Sequence, residues 1–589
     1  MEVLPEWDLS DLYNGMEDPA IKRDLEEADT CAQAFVTKYQ GKLARLGGKA
    51  LGNAVVALEE IDELLNRTRC YGQLLFAANT QDPDVAAFYQ NLNDRTMDIA
   101  SNLIFFGLEL NHIEDELLAR KLKDKGLRRY KPWIDVNRML KPYQLGNDLE
   151  KFMHDKRVTG RDAFIRLFDE TMAWLTFDVD GRALSSSEVL DMMMDPKGSV
   201  RRKAAKAFGA GLGDNLRIFS LITNSLAKDK EIEDRWRGYQ KPISQRNLAN
   251  QVEDGVVEAL ITSVKAAYPA ISHRYYALKA RWLEMEVMDY WDRNAPLPDA
   301  GNDRISWADA CATVLGAYQG FAPQMRQIAE RFFESGWIDA QPRPGKDSGA
   351  FSHSTVPSVH PYILMNYHGR ARDVMTLAHE LGHGVHQVLA APHGHFLSDT
   401  PLTLAETASV FGEMLTFRNM LDAATNAATR RSMLARKVED MLNTVVRQVA
   451  FCDFELRVHY ARRAGEVGVE RLGEIWLDVQ RESLGPAFRF DEEYKFFWAY
   501  IPHFIHAPFY VYAYAFGDCL VNSLYDVFQS GFEGFHGKYL EMLKAGGTLR
   551  HKELLTPFGL DAEDPEFWER GLSVIAGFVD ELEVGTKIG

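Results

Sequence analysis

Between Thr376 and Gln387 the chain reads TLAHELGHGVHQ, which places His379 and His383 four residues apart with Glu380 beside the first of them. Four residues make about one turn of a helix, so both imidazoles can point at a single ion while Glu380 projects next to them. The surrounding pattern predicts that helix. Val374, Leu377, Leu381, Val385 and Val388 recur at steps of three and four, which gives a buried stripe alongside the face of His379, His383 and His386. Asp373 is the expected N-cap, and Pro392 and Gly394 mark the end. Histidines on a core helix can be purely structural. A metal reading therefore requires a third donor elsewhere in the chain.

A catalytic zinc takes three protein ligands and keeps one position open for water. The next patterned segment, Thr403 to Leu421 (TLAETASVFGEMLTFRNML), is predicted to be a second helix, with Leu404, Val410, Phe411, Met414, Leu415 and Met420 apolar. Glu406 and Glu413 lie seven residues apart, two turns along one face of an otherwise apolar helix. A carboxylate there is costly unless it is paired or bound to metal. Glu406 is read as the third ligand, and Glu413 as the acid that orients His379 or His383 through the distal ring nitrogen. A solvated helix face is the competing reading of each acid. The longer metzincin pattern needs Gly at 386 and His at 389, where this chain has His386 and Leu389. The inverted H-x-x-E-H pattern does not fit either. What is left is the His, His, Glu class of zinc peptidase, with Glu380 as the base.

Composition limits the alternatives. The 589 residues, 46% of them hydrophobic, are enough for a large core and for more than one domain. A net charge of −18 argues against non-specific nucleic-acid binding. Cys31, Cys70, Cys311, Cys452 and Cys519 have no metal-like spacing and read as thiols in a reducing compartment. MEVLPEWDLSD shows no basic region followed by an apolar run, so no secretory leader is expected and a cytoplasmic location is. Phe496 to Gly517 has no formal charge over 22 residues, long enough to span a bilayer. Its prolines Pro502 and Pro508 and its histidines His503 and His506 would put polar groups in hydrocarbon, so a buried wall carrying Tyr500, Tyr510, Tyr512 and Tyr514 is expected rather than a membrane span.

Read in order, the first 195 residues suggest helices with short connections. Val55, Leu58, Ile61 and Leu65 form one face, and Glu59, Glu60, Asp62 and Glu63 the remainder. The turn Asp195-Pro196-Lys197-Gly198 suggests a boundary between an N-terminal helical domain (1–195) and a catalytic domain (196–589). Arg201, Arg202, Lys203 and Lys206 read as the solvated side of a helix. Gly209, Gly211 and Gly213 then follow it without the G-K-[ST] ending that a phosphate loop requires. Gln341 to Gly369 is the clearest non-helical stretch, with Tyr362 to Tyr367 its best strand and His368-Gly369 a turn. As an edge strand, it could pair with an extended peptide over the metal, or it could be a plain structural hairpin. Val438, Met441, Val445 and Val449 mark a further helical stripe.

The runs TLAHELGHGVHQ, LAETASVFGEML, GKDSGAFS and IPHFIHAPFYVYAYAFGD, together with the N-terminal WDLSDLY, resemble the oligoendopeptidase F branch of the thimet oligopeptidase family. The resemblance implies a mainly α fold, a helical ellipsoid with a deep central channel and a small β-sheet next to the zinc helix. It implies one Zn2+ per chain and short unstructured peptides as substrates. It also implies that a histidine and tyrosines of the C-terminal segment stabilise the negative charge developing on the scissile carbonyl, where each donor lowers the barrier by roughly 3–4 kcal/mol. His503 matches the histidine. The Gly-Gly loop of the thimet branch is absent here, and among the tyrosines Tyr510 and Tyr512 are the assigned donors, with Tyr514 the alternative and aromatic packing the competing role. In the mechanism so read, His379, His383 and Glu406 hold zinc, the metal activates its water, and Glu380 takes the water proton and passes it to the leaving amine. An exopeptidase of the same class and an inactive peptide-binding relative are the rival readings.

Overall fold

The histidine stretch and the acid stretch both fold as helices in the computed structural model, which describes residues 4–297 and 304–587. The histidine helix runs from Ala371–Ala390 and the acid helix from Leu402–Ala423. The start of the stretch read for a leader, residues 1–3, lies outside the described residues. The fold is mainly α, with three small sheets among the described residues. No described helix is long and apolar enough to cross a membrane. Phe496–Gly517 is divided among the end of a 3-10 segment (Glu492–Tyr500), a four-residue helix (His503–His506) and the start of Tyr512–Gln529. Cys31, Cys70, Cys452 and Cys519 are free thiols.

Two compact units make up the chain, each assembled from separated segments. The first comprises 1–141, 302–423 and 531–559, and the second 142–301, 424–530 and 560–589. The sequence boundary at 195 falls within the second unit, immediately before the helix Gly198–Asp214.

In the first unit the helix Gly48–Ala78 buries Val55, Leu58, Ile61 and Leu65, the face that the periodicity marked. The three-stranded sheet orders Ile338–Asp339, Tyr362–Leu364 and Phe351–His353, with Tyr362–Leu364 in the middle. That corrects the expectation of an edge strand at Tyr362. Both of its sides are taken, by a parallel partner at Ile338 and Asp339 and an antiparallel one at Phe351–His353. Tyr362, Ile363 and Leu364 are accordingly buried. The edge nearer the histidine helix is Phe351–His353, where the Gln387 amide donates to the Ser352 carbonyl (3.2 Å) and the Ser352 hydroxyl donates to Gln387 (2.9 Å).

The histidine helix buries Val374, Leu377, Leu381 and Val385 completely, each contributing about 1.5–3 kcal/mol of apolar transfer. Asp373 is not its N-cap. It sits within the first turn, and its carboxylate accepts the N–H groups of His368 (2.8 Å) and Arg370 (2.9 Å), which closes the turn at Gly369. The histidine and acid helices cross at Gly382. A Cβ there would lie 2.5 Å from the Ala408 carbonyl oxygen and 2.6 Å from the Ser409 Cα.

In the second unit Arg201 departs from the solvated reading of its cluster. It is buried, and its guanidinium donates to Asp292 through two nitrogens at 2.6 and 3.1 Å. Gly209 and Gly211 lie inside the helix rather than after it. Side chains there would strike the Cβ of Glu493 (2.6 Å) and the ring of Phe177 (2.6 Å), so the glycines serve close packing.

The crossing predicts that Gly382→Ala destabilises the protein by about 1–3 kcal/mol, the usual range for an overpacked core. The measurement is the thermal midpoint of the variant; an unchanged midpoint would show that the helices have slack at this point.

Candidate active site

His379 and His383 present their rings one turn apart, with centroids 4.9 Å from each other and the planes at 82°. The acid helix brings Glu406 to both, its Oε2 lying 3.4 Å from His379 Nε2 and 3.5 Å from His383 Nε2. One donor atom from each of the three residues falls within 4.8 Å of the others, the only such group among the described residues. The Ser409 hydroxyl donates to Glu406 (2.7 Å) and fixes that carboxylate. Glu413 reaches the far nitrogen of His379, Nδ1, at 3.3 Å. Of the two histidines that the sequence offered it, Glu413 therefore takes His379.

The cluster is held from behind. The Tyr318 hydroxyl donates to the Ala378 carbonyl (2.6 Å), and Gly412 leaves room for that hydroxyl, which a Cβ would meet at 2.4 Å. On the acid helix, the Tyr539 hydroxyl donates to the Thr407 carbonyl (2.7 Å). Glu380 is 7% exposed. Burial raises its carboxyl to about 7, opposed by the His379 charge and the Ser352 backbone N–H and assisted by Glu406. Burial also presses on His379, but the hydrogen bond with Glu413 and the charges of Glu406 and Glu380 outweigh it and lift the ring to about 9. His383 goes the other way, held down to about 4 by burial against the pull of Glu406. His386 shares the helix but not the cluster. It is buried, 3.4 Å from the Thr400 hydroxyl.

These atoms form a compact set of two imidazoles and one carboxylate with a further acid alongside, a donor set that could hold a divalent metal ion. The first unit also contains a cavity of about 870 Å³ that begins at His383 and is lined by His353, His360, Arg69, His395 and Asp399 among others. The sequence reading missed this wall. Its residues come from five separated stretches with no shared spacing, and the only local cue was the density of histidines after residue 350.

The second unit places the C-terminal candidates. His503, Tyr510 and Tyr514 cluster, with ring centroids 6.3 Å apart for His503 and Tyr510 and 5.3 Å for the two tyrosines. The Tyr514 hydroxyl is 3.5 Å from His503 Nε2. Tyr512 is separate from them. It is fully buried, and its hydroxyl accepts from the Asn250 side chain at 2.8 Å.

Residues 319–574 match the model described as peptidase family M3, and residues 109–177 the model described as oligopeptidase F, together more than half of the chain. The chain belongs to peptidase family M3. Within it the chain groups with the oligopeptidase F proteins. It is 25% identical to oligopeptidase PepF of Bacillus subtilis over 98% of this chain and 86% of that protein. It is 28% identical to an oligoendopeptidase F homolog of Mycoplasma genitalium over 96% and 95%. Among solved structures, a peptidase from Chlamydophila abortus shares the fold with a TM-score of 0.89 at 24% identity, covering 99% of both chains. Oligoendopeptidase-F from Enterococcus faecium follows at 0.72 and 20% identity, covering 97% of this chain and 99% of that one. As an M3 family member the protein is a peptidase whose substrates are peptides.

The charge balance around His379 is testable in metal-stripped protein. Its ring, raised above the ordinary histidine value, lends stability that is complete below about 6.5 and lost as the pH rises through about 9. Histidine-selective NMR should find that high titration, lowered by Glu413→Gln. A ring titrating at or below 6.5 contradicts the placement of Glu413.

Proposed function

We propose that this chain is a zinc-dependent endopeptidase of short, unstructured peptides, acting in the cytoplasm, where its five thiols stay reduced. What carries the reading is the convergence of His379, His383 and Glu406 within 4.8 Å, with Glu380 beside them and Glu413 behind His379. The residues suit the ion. Two imidazoles and one carboxylate leave a fourth position open, the catalytic pattern for zinc, and Glu413 fixes the orientation of the His379 ring. When bound, the ion supplies Lewis acidity, polarising the scissile carbonyl and lowering the pKa of water.

The remaining chemistry belongs to side chains. Glu380, poised near neutrality by its burial, accepts the proton of the attacking water and hands it to the leaving amine. To serve as a ligand His379 would have to be neutral, so the proton that Glu413, Glu406 and Glu380 favour on its ring would be released, and the ion would supply positive charge in its place. The resemblance assigns His503 and the tyrosines a part in stabilising the developing oxyanion. Tyr510 and Tyr514 suit this better than Tyr512, which is fully buried.

The deciding experiment is metal analysis together with peptide cleavage. Wild type should hold one zinc per chain and lose activity to a chelator. Glu380→Gln should keep the zinc and lose roughly 10²–10⁴-fold in kcat. A zinc-replete Glu380→Gln that still turns over rejects the assignment.

A quenched peptide blocked at both ends should be cut internally, and a folded domain should resist. Cleavage confined to free termini would instead favour an exopeptidase. Tyr510→Phe and His503→Ala should each cost about 10²–10³-fold in kcat if they stabilise the oxyanion.

A further inference from the structure

The segment that carries His503, Tyr510 and Tyr514 is held by bonds from side chains that the catalytic reading leaves unused. It has little regular structure of its own. A four-residue helix, His503–His506, leads into Ala507 to Val511, and only at Tyr512 does a long helix begin. Phe509 sits in the left-handed backbone region, at φ +59°, which an aromatic residue adopts only at a cost.

That conformation is tied down from three helices. Arg161, opening the helix Arg161–Trp174, donates to the His506 carbonyl (2.8 Å). Arg246, on Ser244–Ala249, donates to the Pro508 carbonyl (3.2 Å) and places its guanidinium 5.8 Å from the centre of the Tyr510 ring. Glu455, on Arg447–Ala464, accepts the Phe509 N–H at 2.8 Å. Glu455 is 2% exposed and lines a small cavity with Phe168, Phe219, Phe454 and Val458, and its second oxygen, Oε2, has no hydrogen-bond partner. A carboxyl buried that deeply to serve a single backbone N–H is expensive unless the backbone geometry it secures matters.

We propose that Glu455, with Arg246, is a positioning residue. By capturing the Phe509 N–H and the Pro508 carbonyl, the pair holds the strained turn that sets Tyr510 against His503. The proposal rests on the reading that Tyr510 takes part in turnover. Burial raises the Glu455 carboxyl to about 8, against the Phe509 N–H, Arg246 and Lys230. The group therefore accepts the N–H in either protonation state, and a neutral amide can replace it.

The test uses the full-length metal-loaded enzyme. Glu455→Gln keeps an acceptor and should stay within about twofold of wild type in kcat. Glu455→Leu has similar volume and no acceptor; it should lower kcat about tenfold or more while KM changes by less than threefold. In a Tyr510→Phe background the same change should cost less than twofold. Hydrogen exchange of the peptide covering 504–512 should be slow in wild type and Glu455→Gln and fast in Glu455→Leu. If Glu455→Leu fails to fold, Arg246→Met, at a half-buried position, takes its place with the same readouts.

Slow exchange at 504–512 in the leucine variant overturns the proposal, because the turn then holds without Glu455. An equal loss in the wild-type and Tyr510→Phe backgrounds also overturns it, because Glu455 then acts on the fold at large. A silent Tyr510→Phe removes the catalytic role of Tyr510 and this proposal with it. Fast exchange in Glu455→Leu would then show that the turn was nonetheless tied as described.

Discussion

The contact on which the site depends is one of backbone against backbone, where the histidine helix meets the acid helix at Gly382. With no Cβ at that point, the helix axis comes close enough to Ala408 and Ser409 for neighbouring side chains of the two helices to converge. His379 and His383 flank the glycine on one helix, and Glu406 precedes the contact on the other, so the donors meet because the main chains do. Gly384 against the Phe332 ring and Gly412 against the Tyr318 hydroxyl extend the same close packing on both helices. Close approach also brings Glu380, Glu406 and Glu413 near one another in a largely dry setting. Burial raises the Glu380 carboxyl, and the three acids raise the His379 ring against its own burial, so both groups hold their protons more tightly than usual.

Much of this was legible in the chain because it is local. The histidine helix follows from apolar spacing, and the acid helix from the two-turn separation of Glu406 and Glu413. What the sequence concealed is pairing over distance. Tyr362–Leu364 looked like an edge because its second neighbour, Ile338–Asp339, is two residues long and has no period of its own. Arg201 looked solvated because its partner Asp292 stands 91 residues away. Asp373 was assigned one role of an acid at a helix start and plays another, accepting two N–H groups from inside the first turn. The tyrosines offered less. Tyr510 precedes the helix that begins at Tyr512, so the helical period that pairs residues four apart does not govern it. The glycines at 209 and 211 carried no signal, since a residue chosen for what it lacks looks the same whether it turns the chain or admits a neighbour.

The three-stranded sheet has a consequence for behaviour at high concentration. An open strand edge is a template on which another chain can polymerise, and proteins escape this by keeping edges short or occupied. Phe351–His353 is three residues long, and the carbonyl of its middle residue is already held by the amide of Gln387. A second molecule that tried to extend this sheet would find little ladder to join and a side chain to evict first, so the strand nearest the candidate site is poorly suited to seeding aggregation.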